Sequence, residues 1–195
     1  YETMSEDELT KLISETNAQV QKLEQRKNEL SSQLNALKDT ADKNEKAAEI
    51  AKQNAQTNGI LSGRLAATGE GVVIRISQGS KQKIDSAILF TLLEELRNSG
   101  AEVIEINNVR VVTSTYISGT AGSLVCDGTK LKSPFTIRAI GDSDNLQNAV
   151  NLAGGVGSRL KVKYGATVSV SPSDKVMIKS TRQAPQYTYA HVIGQ

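Results

Sequence analysis

The chain has 195 residues, room for one domain of ordinary size and an extension. Hydrophobic residues make up 38% and aromatic residues 4%, with no Trp, so a modest core can form while little surface is left for stacking on bases or sugars. The formal charge of +2 hides an asymmetry: residues 1–58 carry a net −3 and residues 59–195 a net +5.

The second part is therefore compatible with an anionic partner (lipid headgroups, a cell-wall polymer, nucleic acid) as well as with ordinary surface charge. A single cysteine, Cys126, rules out an intramolecular disulfide and cannot supply a zinc cluster. No apolar run approaches the ~20 successive residues that a bilayer span needs. The chain opens on Tyr1 rather than Met, which leaves room for a signal peptide or membrane anchor upstream.

Residues 1–58 read as a long helix. With Leu9 at a d position, the seam runs through Ile13, Thr16, Val20, Leu23, Lys27, Leu30, Leu34 and Leu37 in alternating steps of four and three. That is the 3.5-residue repeat of a coiled coil. Beyond Leu37 the stripe continues through Ala41, Asn44, Ala48, Ala51, Ala55 and Asn58, weakening to alanines. Neither Pro nor Gly occurs before Gly59, and Ser5 with Glu8 fits a capping box. A lone helix of this composition needs a partner for its stripe. A parallel homodimer is the simplest one, with Lys27 at an a position favouring a two-stranded register; a stalk folded back on the domain is the alternative.

Gly59, Gly63, Gly69 and Gly71 punctuate a linker, residues 59–70, leading to a folded domain, residues 71–180. Val72-Val73-Ile74-Arg75-Ile76 reads as a buried strand, and Gln78-Gly79-Ser80 turns the chain. Asp85 is placed as N-cap of the next helix, with Ile84 and Leu89 as a hydrophobic staple. Ile88, Leu89, Leu92, Leu93 and Leu96 form its apolar face, and Gly100 gives a left-handed stop. Residues 101–106 form a second strand. At Asn107-Asn108 the alternation slips between Ile104/Ile106 and Val109/Val111, which demands a bulge or a tight turn.

Residues 122–131 read as a hairpin turning at Asp127-Gly128, and residues 134–140 as another strand. Asp142 or Ser143 caps a helix through Leu146, Val150 and Leu152, stopped by Gly154-Gly155. Strands at 167–170 and 176–179 flank a turn at Ser171-Pro172-Ser173-Asp174, and residues 181–195 read as an irregular tail. The order β-α-β-(β hairpin)-β-α-β-β points to an α+β fold, a ferredoxin-like sandwich with both helices on one face, preceded by the long coiled-coil helix. A doubly wound parallel sheet fits less well, because its units alternate without hairpins.

Four short segments carry a resemblance. They are Gly69-Glu70-Gly71-Val72-Val73-Ile74; Leu93-Glu94-Glu95-Leu96-Arg97-Asn98-Ser99-Gly100-Ala101-Glu102; Ile106-Asn107-Asn108-Val109-Arg110; and Pro134-Phe135-Thr136-Ile137-Arg138-Ala139-Ile140-Gly141-Asp142. In this order they resemble the bacterial domain-of-unknown-function 881 family, sometimes described as division-initiation proteins. The likeness covers about residues 65–178, and a preceding coiled coil is usual in the family. The resemblance implies a ferredoxin-like domain on the outer face of the plasma membrane, tethered by one N-terminal transmembrane helix upstream of these residues. By analogy it implies a role in envelope growth, division or sporulation. The family often shows Asn-Gly where this chain has Asn107-Asn108, which implies a looser turn here.

Asn107, Asn108 and Arg110 lie together at a strand end, so amide and guanidinium donors could converge on an anion or carboxylate. Alternatively Arg110 pairs with Glu105 or Glu102 and holds the loop. Arg138 is a similar candidate, or simply faces solvent. Asp142 reads as an ordinary N-cap rather than as the rim of an anion site. Gly119-Thr120-Ala121-Gly122-Ser123 lacks the Lys-Ser/Thr ending of a phosphate loop, and Gly154-Gly155-Val156-Gly157-Ser158 sits after a helix, the wrong place for a dinucleotide fingerprint.

His191 lies in the tail, Cys126 has no cationic sequence neighbour, and Glu94-Glu95 diverge by ~100° around a helix. A non-enzymatic role without cofactor or metal is therefore expected. The expected protein is a membrane-anchored scaffold or adaptor whose helix, ~60–75 Å long over forty to fifty residues, sets dimerisation and reach. Its partners would be a second copy, an envelope or division protein, or an anionic polymer or lipid surface. A small-molecule sensor using Asn107, Asn108 and Arg110 is the alternative. Nucleic acid is not expected, since Phe135 is the lone strand aromatic available for base stacking.

Overall fold

The computed structural model describes residues 6–39 and 44–194; the expected Ser5–Glu8 capping box and the seam side chains of Ala41 and Asn44 lie outside the described residues. The chain divides into two compact units, Tyr1–Thr57 and Asn58–Gln195.

In the first unit the run of Leu, Glu, Lys, Gln and Ala, all good helix formers, makes α1 (Glu6–Asp39). The helix α2 (Asn44–Leu61) begins in this unit and ends in the second. Its length differs from the sequence expectation. Gly59 lies inside the helix rather than at its end, and the left-handed residue that follows the helix is Gly63, at φ +75°. Along α1 the heptad side chains stay in solvent, from Leu37 at 40% exposed to Leu23 at 68%. Its polar face holds itself weakly: Arg26 and Glu29 are 3.4 Å apart and both exposed, a pair worth little.

The second unit is a mixed α+β structure with antiparallel sheets. Its five-stranded sheet runs β3-β2-β7-β1-β8 and is antiparallel at every pairing. The strands are β1 (Ala67–Ser77), β2 (Val103–Ile106), β3 (Val109–Val111), β7 (Phe135–Ile140) and β8 (Thr167–Ile178). A small three-stranded sheet is formed by β4 (Ile117–Thr120), β5 (Ser123–Cys126) and β6 (Thr129–Lys130), turning at Asp127-Gly128 where both residues have positive φ.

Period-two alternation divides the large sheet into two faces. Val72, Ile74, Ile76, Ile104, Ile106, Phe135, Ile137 and Ala139 point toward α3 (Ser86–Asn98), α4 (Ser143–Asn151) and α5 (Val156–Val162), and form the main core with Leu89, Leu92, Leu96, Leu146, Val150 and Leu160. Phe135 is thus buried on the helix side and offers no stacking surface. The opposite face carries a smaller cluster of Val103, Ile140, Val176 and Ile178.

Local signals act as expected at α3. The Asp85 carboxylate accepts the Ile88 amide at 2.9 Å, Ile84 and Leu89 are both fully buried, and Gly100 takes φ +91°. Two expectations are corrected. The helix α4 ends at Asn151 with Leu152 already in extended backbone, before the glycines at 154–155, and Gly155 is the N-cap of α5, so that segment precedes a helix as well as following one. Ser171-Pro172-Ser173-Asp174 is not a turn between two strands but the middle of the single strand β8. Gly69 pairs with Val176 while Gly71 pairs with Ser173, so a bulge absorbs the irregularity. Pro172 is tolerated because β8 is an edge strand with an unpaired side.

Candidate functional site

Strand register sets a row of charge across the outer face of the sheet, away from the helices. Arg110 on β3 is opposite Glu105 on β2, Glu105 is opposite Arg138 on β7, and Arg138 is opposite Val73 on β1. One carboxylate therefore stands between two guanidinium groups. Glu105 is 3% exposed and closes its ion pair with Arg138, Oε2 to Nη1, at 3.0 Å.

Arg110 is 2% exposed and serves the main chain. Its Nη1 donates to the carbonyls of Leu65 at 2.9 Å and Ser180 at 3.2 Å, and its Nη2 donates to the Ile60 carbonyl at 2.8 Å. Burial lowers its pKa and the Glu105 charge opposes that; an Arg remains protonated regardless. Gly63 completes this clamp. A β-carbon there would stand 2.8 Å from Val112 and 3.2 Å from the Arg110 side chain, besides requiring a positive φ. Arg182 adds a second tie, its amide donating to the Gly63 carbonyl at 2.7 Å and its guanidinium lying 2.8 Å from Asp127.

Asn107 and Asn108 join β2 to β3 as a two-residue turn, with φ +47° and +64° and with Ile106 paired to Val109. Positive φ at both central residues is the tight hairpin geometry that matches strand twist, so the expected loosening is absent. The Asn107 side chain explains why. Its amide donates to the Lys132 carbonyl at 2.9 Å and its oxygen accepts the Thr136 amide at 2.8 Å, which prolongs the β2–β7 ladder beyond Ile106.

Beyond the bulge, β8 packs Val176 and Ile178 with Ile140, two strands away, and Val103, three strands away, so it folds over the outer face. Between this overhang and the sheet lies an open groove of about 430 Å³. Of the four residues singled out from sequence, Asn108 and Arg138 line it, whereas Asn107 and Arg110 do not. Ser173, Lys175, Val176, Met177 and Lys179 complete the lining with Val73 and Glu105. No single sequence phase announces these residues, because the bulge between the Gly71–Ser173 and Gly69–Val176 pairings breaks period two within them.

The remaining candidates fall into structural roles. Asp142 caps α4 through the Asn145 amide at 2.8 Å. Glu70 meets the same helix end, accepting from the Ser143 amide at 3.0 Å and hydroxyl at 2.8 Å, and these bonds lower its pKa. Gly119 and Thr120 belong to β4. Cys126 is fully buried, and burial first, then Asp127, pushes its thiol up to about 11, so little thiolate exists near neutrality. His191 is exposed in the tail. The Tyr164 hydroxyl donates to Asp85 at 2.6 Å, a contact between α3 and the end of α5 that no sequence spacing announces. Among the described residues no group of three or more His, Cys, Asp or Glu side chains could hold a metal ion, and no helix is long and apolar enough to cross a membrane.

Comparison with known proteins gives a consistent relationship. The sequence pattern described as "Bacterial protein of unknown function (DUF881)" matches residues 54–191. The UPF0749 protein Rv1825 of Mycobacterium tuberculosis is 34% identical over 169 residues, 85% of this chain and 57% of that protein. The UPF0749 protein YlxW of Bacillus subtilis is 30% identical over 126 residues, 60% of this chain and 54% of that protein. The chain thus spans little more than half the length of these relatives. A crystal structure of an uncharacterized conserved protein from Mycobacterium tuberculosis superimposes with a TM-score of 0.66 at 35% identity, covering 72% of this chain and 99% of that one. The chain belongs to the bacterial DUF881 family of unknown function.

Proposed function

We propose that this protein is a non-enzymatic adaptor, anchored at the outer face of the plasma membrane, whose helical stalk pairs with a second copy and whose head binds a partner without transforming it. The stripe on α1 carries the reading. Leu9, Ile13, Val20, Leu23, Leu30, Leu34 and Leu37 recur at heptad spacing, and each is at least 40% exposed. Covering such a half-exposed side chain contributes on the order of 1 kcal/mol, and a dimer covers the stripe twice. At 1.5 Å per residue α1 alone is about 50 Å long, so it also acts as a spacer.

Strand order β8-β1-β7-β2, with α3, α4 and α5 packed on one face, supports the ferredoxin-like reading of the head: two interleaved strand-helix-strand halves. The place in envelope growth, division or sporulation rests on the family analogy. Sedimentation equilibrium of the full chain tests the stalk. The wild type should be a dimer and Leu23→Glu/Leu30→Glu a monomer; a wild type that stays monomeric at millimolar concentration removes the pairing.

A ligand-sensing head is the second reading, and the groove favours it. Its site is then Asn108 and Arg138 rather than the Asn107, Asn108 and Arg110 set, because Arg110 is engaged by main-chain carbonyls.

A further inference from the structure

The groove under the β8 overhang has a composition that selects a ligand class, an inference that rests on reading it as the head's binding site. Its charged lining is Arg138, Lys175 and Lys179 against the single carboxylate Glu105, which leaves two positive charges in excess. Glu105 is itself occupied: it lies against Arg138 at 3.0 Å, with the charge of Arg110 at the register position beside it on β3, so it fixes the Arg138 guanidinium in place rather than opposing an incoming anion. Arg138 stays 32% exposed while held this way, a pre-oriented planar donor at the edge of solvent. Ser173 adds a neutral hydroxyl whose oxygen already accepts the Lys175 amide at 3.2 Å, leaving its proton to donate. Asn108 adds a side-chain amide, and the rest of the lining is apolar, from Val73, Val176 and Met177. A volume of about 430 Å³ falls within the range of small-ligand sites, roughly 300–1,000 Å³.

We infer that this groove binds a phosphate monoester bearing a compact apolar body, the phosphate on Arg138, Lys175 and Lys179 and the body on Val73, Val176 and Met177. A phosphate monoester carries about −1.5 to −2 near neutrality, which matches the excess of two; a carboxylate would leave one cation unanswered. The same chemistry could come from a soluble metabolite or from a lipid with a monoester headgroup.

Titration calorimetry of the full chain with phenyl phosphate, inorganic phosphate and phenyl sulfate tests the assignment. A parallel flotation assay uses phosphatidylcholine vesicles with and without phosphatidic acid. Phenyl phosphate should bind, with inorganic phosphate and phenyl sulfate each weaker by about tenfold. Arg138→Gln should weaken phenyl phosphate by about tenfold or more, since it removes a charge-assisted contact. Because that change also strips Glu105 of its partner, Lys175→Gln/Lys179→Gln provides a second variant on exposed side chains, expected to weaken binding several-fold. Lys161→Gln on α5, across the sheet, should change nothing. Flotation only with phosphatidic acid, lost in the same variants, assigns the lipid source; calorimetric binding without flotation assigns the soluble one. If phenyl phosphate and phenyl sulfate bind alike, or neither binds while polyglutamate binds in an Arg138-dependent way, the ligand class is wrong and the groove survives. If no probe responds to either groove variant, the groove reading fails with it.

Discussion

A buried arginine is ordinarily a sign of a partner carboxylate, and at Arg110 the partners are instead three main-chain carbonyls, those of Ile60, Leu65 and Ser180. Each is an acceptor that would otherwise lose water on burial, and the guanidinium fork answers them from one point. Lysine cannot reproduce that fork. Arg110→Lys should therefore lower stability by roughly 2 kcal/mol or more, read as a fall in the urea midpoint without a change in slope. The sequence marked Arg110 as unusual by its place after Asn107-Asn108, but a guanidinium's choice between carboxylate, ligand and carbonyl depends on segments 45 to 70 residues distant. Arg138 shows the opposite case. Alternation left it either a candidate donor or a side chain facing solvent, while its pairing with Glu105 needed the strand register that brings β2 beside β7.

At the scale of elements, signals that are local in sequence were legible and those that depend on a neighbouring strand were not. The Asp85 cap, the Gly100 stop and the Asp127-Gly128 turn each rest on residues within one turn of chain. The continuity of β8 through Pro172 and the helix α5 after Gly155 depend on edge position and core packing instead. Asp85 joins both kinds of link, since its carboxylate holds the α3 amide and the Tyr164 hydroxyl together. Burial pushes its pKa up, but the Tyr164 bond, the Ile88 amide and the Lys163 charge outweigh it, so the folded value lies below the ordinary one. A depressed acid contributes stability that is whole above its unfolded value, about 3.9, and is lost as pH falls through the folded one. Asp85→Asn retains a good cap and removes the titration. The variant's urea midpoint should accordingly fall less than the wild type's between pH 6 and pH 3. The same contact holds the Tyr164 hydroxyl neutral, its pKa raised to about 12 by burial and by Asp85.

For the molecule as a whole, the division of labour follows composition. The acidic first third sets most of its large apolar side chains along one stripe, whereas the basic remainder builds its core on a sheet covered by helices on one face. Helical spacing of the apolar residues identified the first helix, and alternation identified the central strands of the sheet, because both depend only on the period of the chain. What spacing could not supply was the overhang of β8, which exists because its bulge lets Val176 and Ile178 reach Val103 and Ile140. Without that fold the outer face would be flat and Arg138 would be an isolated surface charge. The candidate site is thus a product of tertiary packing, and only two of its residues, Asn108 and Arg138, were visible beforehand.

The Arg110 clamp also brings two distant stretches of backbone to one spot. Ile60 and Leu65 precede the sheet, Ser180 follows it, and all three carbonyls sit within reach of one guanidinium. The head is therefore topologically a pendant loop, closed at its neck. Joining its two ends with a short Gly-Ser linker and opening it between Gly154 and Gly155, where Gly154 is exposed and a β-carbon on it would meet nothing within 4 Å, should give a circular permutant that folds. Its circular dichroism spectrum and cooperative unfolding would match the parent head, and loss of cooperativity would show that the neck is not the closure it looks to be. A neck of this kind lets the head be inserted whole into a surface loop of another protein, with strain at the graft confined to a few residues around a single side chain.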